Sequence, residues 1–228
     1  MKKILFSLLM LIFLAGCTNL QKQSFNSGAN QHIQQIALIN PPHVGQVDVV
    51  VIRHTGSSFG VVGGLIAVAD MRTKTNKYNK LVGTFNWDSY VHQQLASALM
   101  NDGYTVKTIK IRPDTPAAAK YLKKYPEVAS DALLDYYYTI GQVASGSTTS
   151  YVPTVTLHAR LVDPRKKSVL YEQHFNAGLP LDKKMSYIPI NQEYRNIADL
   201  LTNSEQSIEA LKQGIQQLTQ QLATDLKK

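Results

Sequence analysis

The sequence predicts an α/β fold: a two-layer arrangement in which helices pack on one mixed sheet, preceded by a leader segment and a flexible tether. Three patterns carry this expectation. Short β-branched or alternating runs recur between residues 33 and 175, two long stretches follow a helical period, and no internal repeat points to a solenoid or propeller. The 228 residues are 44% hydrophobic and 18% charged, which excludes a disordered chain and suffices for one domain with a sizeable core or two small ones. The single cysteine, Cys17, excludes an intrachain disulfide framework and a Cys-rich structural zinc site.

Residues 1–16 read as a secretory signal peptide. Lys2 and Lys3 give a charged start, and Ile4 to Phe13 is apolar apart from Ser7, too short to span a bilayer as a helix. Thr18 to Gln31 is rich in Asn, Gln, Ser and Gly, so 17–31 is expected to be a flexible tether. The folded body is expected over 32–228. Ile33 to Ile39 predicts a first strand, stopped at Asn40-Pro41-Pro42 because proline cannot donate to a ladder. Asp48 to Arg53 predicts a second, buried strand. Gly56 to Ala69 holds four glycines ahead of a short apolar run, and Met71 to Lys80 carries Arg72, Lys74, Lys77 and Lys80 with no acid. Residues 56–82 are therefore expected to form an excursion from the main fold.

Trp87, Val91, Leu95 and Leu99 recur four apart and predict a helix over 87–100, capped by Asn86 and stopped at Gly103. Tyr104 to Ile111 reads as a strand, and Thr115 to Lys124 as a short helix opening at Pro116. Ala132 to Ile140 alternates with a period of two, which sends Tyr136 and Tyr138 to one face and Tyr137 to the other. Val155 to Leu161 alternates likewise, Asp163 to Lys167 turns the chain, and Ser168 to Phe175 returns as the second arm of an antiparallel hairpin. That hairpin makes His158 and His174 cross-strand neighbours. Asn191 to Leu201 predicts a short helix. Ile208, Leu211, Ile215, Leu218 and Leu222 predict a long one over 203–228, packed on the sheet, with Thr202 and Glu205 as a capping box.

The leader ends Leu14-Ala15-Gly16-Cys17. Small residues before a cysteine at this point resemble the lipobox of bacterial lipoproteins. In that family the thiol is diacylated, the leader is cut before the cysteine, and the new amine is acylated. The resemblance implies lipidation of Cys17 and a membrane partner reached through that anchor. Each buried CH₂ contributes roughly 0.8 kcal/mol, so three acyl chains would make release negligible. Thr18 follows, and in Gram-negative lipoproteins a residue other than Asp there implies the outer membrane. Loss of Lys2 and Lys3 with the leader lowers the formal charge from +8 to +6. No later apolar run reaches the ~20 residues of a spanning helix, so the body is expected on the periplasmic face.

IALINPP, LMNDGYTVKTIKIRPD, DALLDYYYTIGQV and TLHARLVDPRKKSVLYEQ together are similar to a group of small Gram-negative envelope lipoproteins of uncharacterised function, a neisserial surface antigen among them. Their fold resembles the periplasmic domains of the curli-secretion lipoprotein and of the lipoprotein activators of penicillin-binding proteins. The match spans Ile33–Asn40 and Trp87–Gly178 and leaves out Gly56–Val82. It implies a fold and a compartment, and brings no catalytic residues.

Three candidate chemistries remain. Gly56-Ser57-Ser58-Phe59-Gly60 fits G-x-S-x-G after a β-branched strand, which would make Ser58 a nucleophile with Asp88, Asp135 or Asp163 and His158 or His174 as partners. No HGG-like oxyanion loop precedes it and the supporting parallel strands are not evident, so a glycine-rich bend is the simpler reading. Gly60 and Gly64 fit G-x-x-x-G, which marks Phe59, Gly60, Gly63, Gly64, Leu65 and Ile66 as a possible membrane or subunit contact beside the basic stretch. This segment is expected either as a strand and turn within the fold or as one strand of a membrane hairpin in a ring; inserted segments build a pore in the curli-secretion relative. The histidines (His32, His43, His54, His92, His158, His174) lack metal-ligand spacing, so no metal and no cofactor are expected. The basic balance lacks any RNP, helix-turn-helix or zinc pattern, which argues against nucleic acid. The leading expectation is a non-enzymatic outer-membrane lipoprotein whose periplasmic domain binds or scaffolds an envelope partner or a second copy of itself. The alternatives are an oligomeric pore or secretion accessory using 56–82, and a serine hydrolase at Ser58.

Overall fold

A computed structural model describes residues 21–52, 61–112 and 120–227. The elements run β1 (Gln35–Ile39), β2 (Asp48–Val51), α1 (Val61–Val82), α2 (Trp87–Asn101), β3 (Thr105–Ile109), β4 (Ala132–Ala144), β5 (Val152–Asp163), β6 (Ser168–Ala177), β7 (Ser186–Ile188), α3 (Ile197–Thr202) and α4 (Ser204–Asp225). The strands form one seven-stranded mixed sheet, ordered β3-β1-β4-β5-β6-β7, with β2 beside the second half of β4. β1 is parallel to β3 and β4, β2 is parallel to β4, and β7 is parallel to β6. β4, β5 and β6 are successively antiparallel. The α/β class is the expected one.

The long strand β4 separates two faces. Tyr136, Tyr138 and Ile140 point into the main core, which they share with Trp87, Val91, Leu95 and Leu99 of α2 and Leu211, Ile215, Leu218 and Leu222 of α4. Full burial of such a side chain contributes roughly 1.5–3 kcal/mol, so this helix-covered face dominates the apolar stabilisation. On the other face Leu133, Ala37, Ile39 and Val162 form a small second cluster, closed by Leu122, Tyr125 and Val128. α2 starts and stops as its residues predict: Asn86 accepts the Ser89 N–H at 3.0 Å, and Gly103 has φ +89°.

Of the segment 56–82, residues 56–60 lie outside the described residues, and 61–82 differs from its expectation. From Val61 it is a single helix, α1, and from Met71 onward it belongs to the fold as neither excursion, turn nor membrane strand. The cause is polar. The Thr75 hydroxyl accepts the Val49 N–H at 2.9 Å, closing an edge amide of β2. Asn79 accepts from Val47 N–H at 3.0 Å and donates to Val47 C=O at 2.8 Å. Tyr78 is fully buried, and its hydroxyl meets Ser207 Oγ at 2.5 Å and the Gln142 amide at 3.1 Å. Arg72, Lys77 and Lys80 remain exposed.

Three further expectations are corrected. The tether is not free from Gln21 on: Gln23 exchanges both backbone hydrogen bonds with Glu172 at 2.9 Å, Asn26 to Asn30 form a turn, and Phe25 packs on the core. Of the helix expected at Thr115 to Lys124, residues 115–119 lie outside the described residues, and 120–124 is not helical. There Lys120 C=O accepts from Arg112 and Leu122 N–H donates to Asp135 at 2.7 Å, so tertiary bonds take the backbone groups a helix would use. The capping box at Thr202 and Glu205 does not form. Thr202 Oγ1 bonds back to Ala198 C=O at 3.0 Å within α3, and Asn203 makes no side-chain cap to α4. The strand β7 was not expected, and neither were the parallel pairs around β1 and β4.

Gly178 gives a test of this packing. Its φ is +97°, and a Cβ there would lie 1.9 Å from Pro153 O, whereas Gly103 at φ +89° has open space around it. Gly103→Ala is expected to cost about 1 kcal/mol of backbone strain, and Gly178→Ala more than about 3 kcal/mol because the clash is with backbone. Urea unfolding of both variants reads the difference; equal losses would contradict the packing at Pro153.

Candidate functional site

An open cleft of about 710 Å³ lies at the β3–β1 side of the sheet, where the loop after β1 meets the start of α2. His43, Asp88, His92, Thr108, Asn86 and Ser89 supply its polar lining, with Phe85 and Trp87 as aromatic wall. Asp88 sits in the first turn of α2, where the helix N-terminus favours a carboxylate. Its oxygens accept from His43 Nδ1 at 2.5 Å, from Val44 N–H at 3.0 Å and from the Tyr138 hydroxyl at 2.6 Å. Burial and the adjacent carboxylate hold the Tyr138 hydroxyl protonated, as a donor to Asp88.

With Nδ1–H committed to the carboxylate, His43 keeps Nε2 as an acceptor on a side chain 39% exposed. His92 is fixed beside it, with Nδ1 3.0 Å from the Tyr136 hydroxyl and Nε2 2.7 Å from Thr108 Oγ1. Burial lowers the His92 imidazole below its ordinary value and keeps it neutral. The cleft is thus a pre-organised polar site: an oriented, exposed imidazole backed by a saturated carboxylate, with aromatic surface beside it. Among the described residues, no hydroxyl or thiol is hydrogen-bonded to His43.

The opposite sheet face carries a second polar cluster. His158 and His174 face each other across β5 and β6, Nδ1 to Nδ1 at 2.6 Å, as the hairpin register predicts. His174 Nε2 lies 2.8 Å from Gln21 C=O, and a carbonyl only accepts, so this nitrogen carries the proton. His174 Nδ1 is then the acceptor and His158 Nδ1–H the donor. Tyr137 stacks on His158 at 4.4 Å and 10°, while Arg160 pairs with Glu172 at 2.9 Å and lies 4.0 Å over the Tyr121 ring.

The candidate residues read from the sequence fall as follows. Cys17, Ser58, Phe59 and Gly60 lie outside the described residues. Gly63, Gly64, Leu65 and Ile66 fall in the first half of α1. The acids considered for a triad are engaged elsewhere: Asp88 with His43, Asp135 with Arg112, and Asp163 with the turn N–H groups of Arg165 and Lys166. None of them is bonded to His158 or His174. The parallel strands thought to be missing around an elbow do exist, so that objection to it does not stand. The His43–Asp88 pair was not foreseen, because its members are 45 residues apart with no local spacing to betray them. Among the described residues, no group of three or more His, Cys, Asp or Glu is placed to hold a metal ion, and no helix is long and apolar enough to cross a membrane.

No protein-family model matches the chain, and no curated protein sequence does. Among solved structures, a Xanthomonas campestris protein of the DUF330 family superposes with a TM-score of 0.41 at 11% identity, covering 84% of this chain and 81% of that one. The PelC dodecamer subunit of Paraburkholderia phytofirmans gives 0.37 at 10% identity, covering 91% and 98%. A lipoprotein from Neisseria meningitidis gives 0.21 at 14% identity, covering 77% and 98%. These are distant likenesses, and no residue role is taken from them.

The histidine pair makes a pH prediction. Burial, and then the neighbouring His174, push the His158 imidazole down to about 4. The unfolded chain takes up this proton near pH ~6.5. The contribution is therefore complete above about pH 6.5 and is lost as pH falls toward about 4, by on the order of 3 kcal/mol. Urea midpoints measured across that window should drop in the native chain, and His158→Gln should flatten the slope. Equal slopes in both chains would reject the assignment.

Proposed function

We propose that this chain is a non-enzymatic outer-membrane lipoprotein, anchored through acylated Cys17, whose α/β domain binds an envelope partner on the periplasmic face. The observation that carries the anchor is the leader ending Leu14-Ala15-Gly16-Cys17, followed by Thr18. Anchoring by acyl chains also accounts for a chain whose described helices include none able to cross a membrane. Support for binding comes from the cleft: His43, Asp88 and His92 are held in fixed orientations by Tyr138, Tyr136 and Thr108 before any ligand arrives. Such a site loses little side-chain entropy on binding. Its preformed acceptor at His43 Nε2 suits a partner that donates a hydrogen bond.

A fluorophosphonate probe is expected to leave the purified chain unlabelled.

Two measurements test the proposal. Cys17→Ser should abolish the acyl mass and the detergent requirement for extraction; an unchanged mass would refute the anchor. In pull-downs from detergent-solubilised envelopes, the native chain should retain a specific protein or a second copy of itself. His43→Ala should weaken that capture about tenfold, or about 1.4 kcal/mol, while lowering the unfolding free energy by no more than about 1 kcal/mol, the range of a partly exposed ion pair. Equal capture by both chains would remove the cleft from the binding surface.

A further inference from the structure

The segment 21–23 is a strap on the sheet edge. Gln23 pairs antiparallel with Glu172 of β6, its side chain donates to Val169 C=O at 2.7 Å, and Gln21 C=O accepts from His174 at 2.8 Å. One edge of β6 is taken by β5, so the strap and β7 share the other. Because the strap is antiparallel, tracing back from Gln23 to Gln21 moves along β6 from Glu172 to His174, toward Phe175, where β7 begins with Ser186. Gln21, the described residue nearest Cys17 in the chain, therefore lies toward the loop that leads into β7.

That loop and the strap carry a net positive charge, three lysines against one aspartate. Lys22 lies beside the Gln23–Glu172 bridge, and Lys183 and Lys184 lie in the turn just before β7; all three are exposed. Asp182 is the neighbouring acid, with one carboxylate oxygen held by Lys184 N–H at 2.9 Å. Glu172 is occupied by Arg160. Two exposed apolar side chains flank the lysines, Leu181 at 41% and Tyr187 at 48%.

Only Thr18, Asn19 and Leu20 separate Cys17 from Gln21. Fully extended, that stretch reaches at most about 14 Å. We infer that the strap fixes the orientation of the domain, with the β6–β7 edge and Lys22, Lys183 and Lys184 held against an anionic phospholipid surface. The inference rests on acylation of Cys17. Three observations select a lipid surface as the occupant: the short reach from the anchor, the net positive charge of the strap and loop, and the amphipathic Tyr187 beside them. With Gln21 at most about 14 Å from the anchor, the neighbouring Lys22 lies within about two Debye lengths of the headgroups, where anionic lipid attracts it.

The test uses the acylated full chain in vesicles of phosphatidylethanolamine and phosphatidylglycerol. Because acylation blocks Cys17, a single introduced cysteine is labelled alone. Energy transfer to a headgroup-labelled lipid is compared for Lys183→Cys and for Lys107→Cys on the far edge strand β3. The label at 183, beside β7, is expected about 20–25 Å nearer the surface, the width of the five interstrand spacings from β3. Gln23→Pro removes the strap's N–H donor and should bring the two distances together. Lys22→Glu with Lys184→Glu should move the label at 183 outward. Equal distances in a chain that floats with the vesicles would overturn the orientation while leaving the anchor intact. Distances unaltered by Gln23→Pro would overturn the strap as its cause, and distances unaltered by the charge reversals would overturn the anionic surface. A chain with Cys17 intact that gains no acyl mass and does not float would overturn the anchor, and the inference with it.

Discussion

A carboxylate at the centre of a sheet has to be neutralised where it stands, and much of this fold is arranged around the one at Asp135. The residue is fully buried. Arg112 meets it at 2.6 Å, Leu122 N–H at 2.7 Å and the Tyr125 hydroxyl at 3.1 Å. Arg112 in turn donates to Asn40 C=O and Lys120 C=O, and the Asn40 side chain accepts from both Ile111 and Arg112 N–H. One ion pair thus ties the ends of β1 and β3, the first part of β4 and the segment from residue 120. Removing one partner of such a pair costs about 3–5 kcal/mol, since the other is left buried and uncompensated. The same knot places Asn40 and Pro41 at the mouth of the cleft.

The two faces of β4 then take different jobs. On the helix side, Tyr136 and Tyr138 reach through the core with their hydroxyls and hold His92 and Asp88. Their rings are core and their oxygens belong to the cleft, so the site is built from the packing itself. On the other side, Tyr137 stacks on His158, and His174 continues the contact to Gln21. Alternation along a strand is what allows three consecutive tyrosines to serve both sides.

What could be read beforehand follows from how local each signal is. The helix at 87–101 carries its stripe, its Asn86 cap and its Gly103 stop in one stretch, and all three held. The His158–His174 contact was legible because a hairpin register is a local property. α1 was not, because its docking side is Thr75, Tyr78 and Asn79, polar groups answering edge amides and a buried serine, and no periodic apolar stripe announces that. The strap was hidden for a related reason. Polar composition predicts a free chain, yet Gln21 and Gln23 are held by main-chain bonds to β6 that composition does not encode. The capping box failed because Thr202 had a nearer acceptor in Ala198 C=O, one turn back in α3.

The strap and the cleft occupy opposite edges of the same sheet. The cleft draws on Thr108 of β3 and the loop after β1, and the strap lies on the outer edge of β6, five strand spacings of about 4.8 Å from β3. Hydrogen-bonded ladders join the strands across that width, and the Arg112–Asp135 pair ties β3, β1 and β4. Fixing one edge therefore fixes the other. With Cys17 acylated, an anchor a few residues from the β6 edge turns the cleft away from the membrane. A long free tether would let His43 and Asp88 sample all directions, including the bilayer. A docked one would hold them at a set height, facing away from the bilayer.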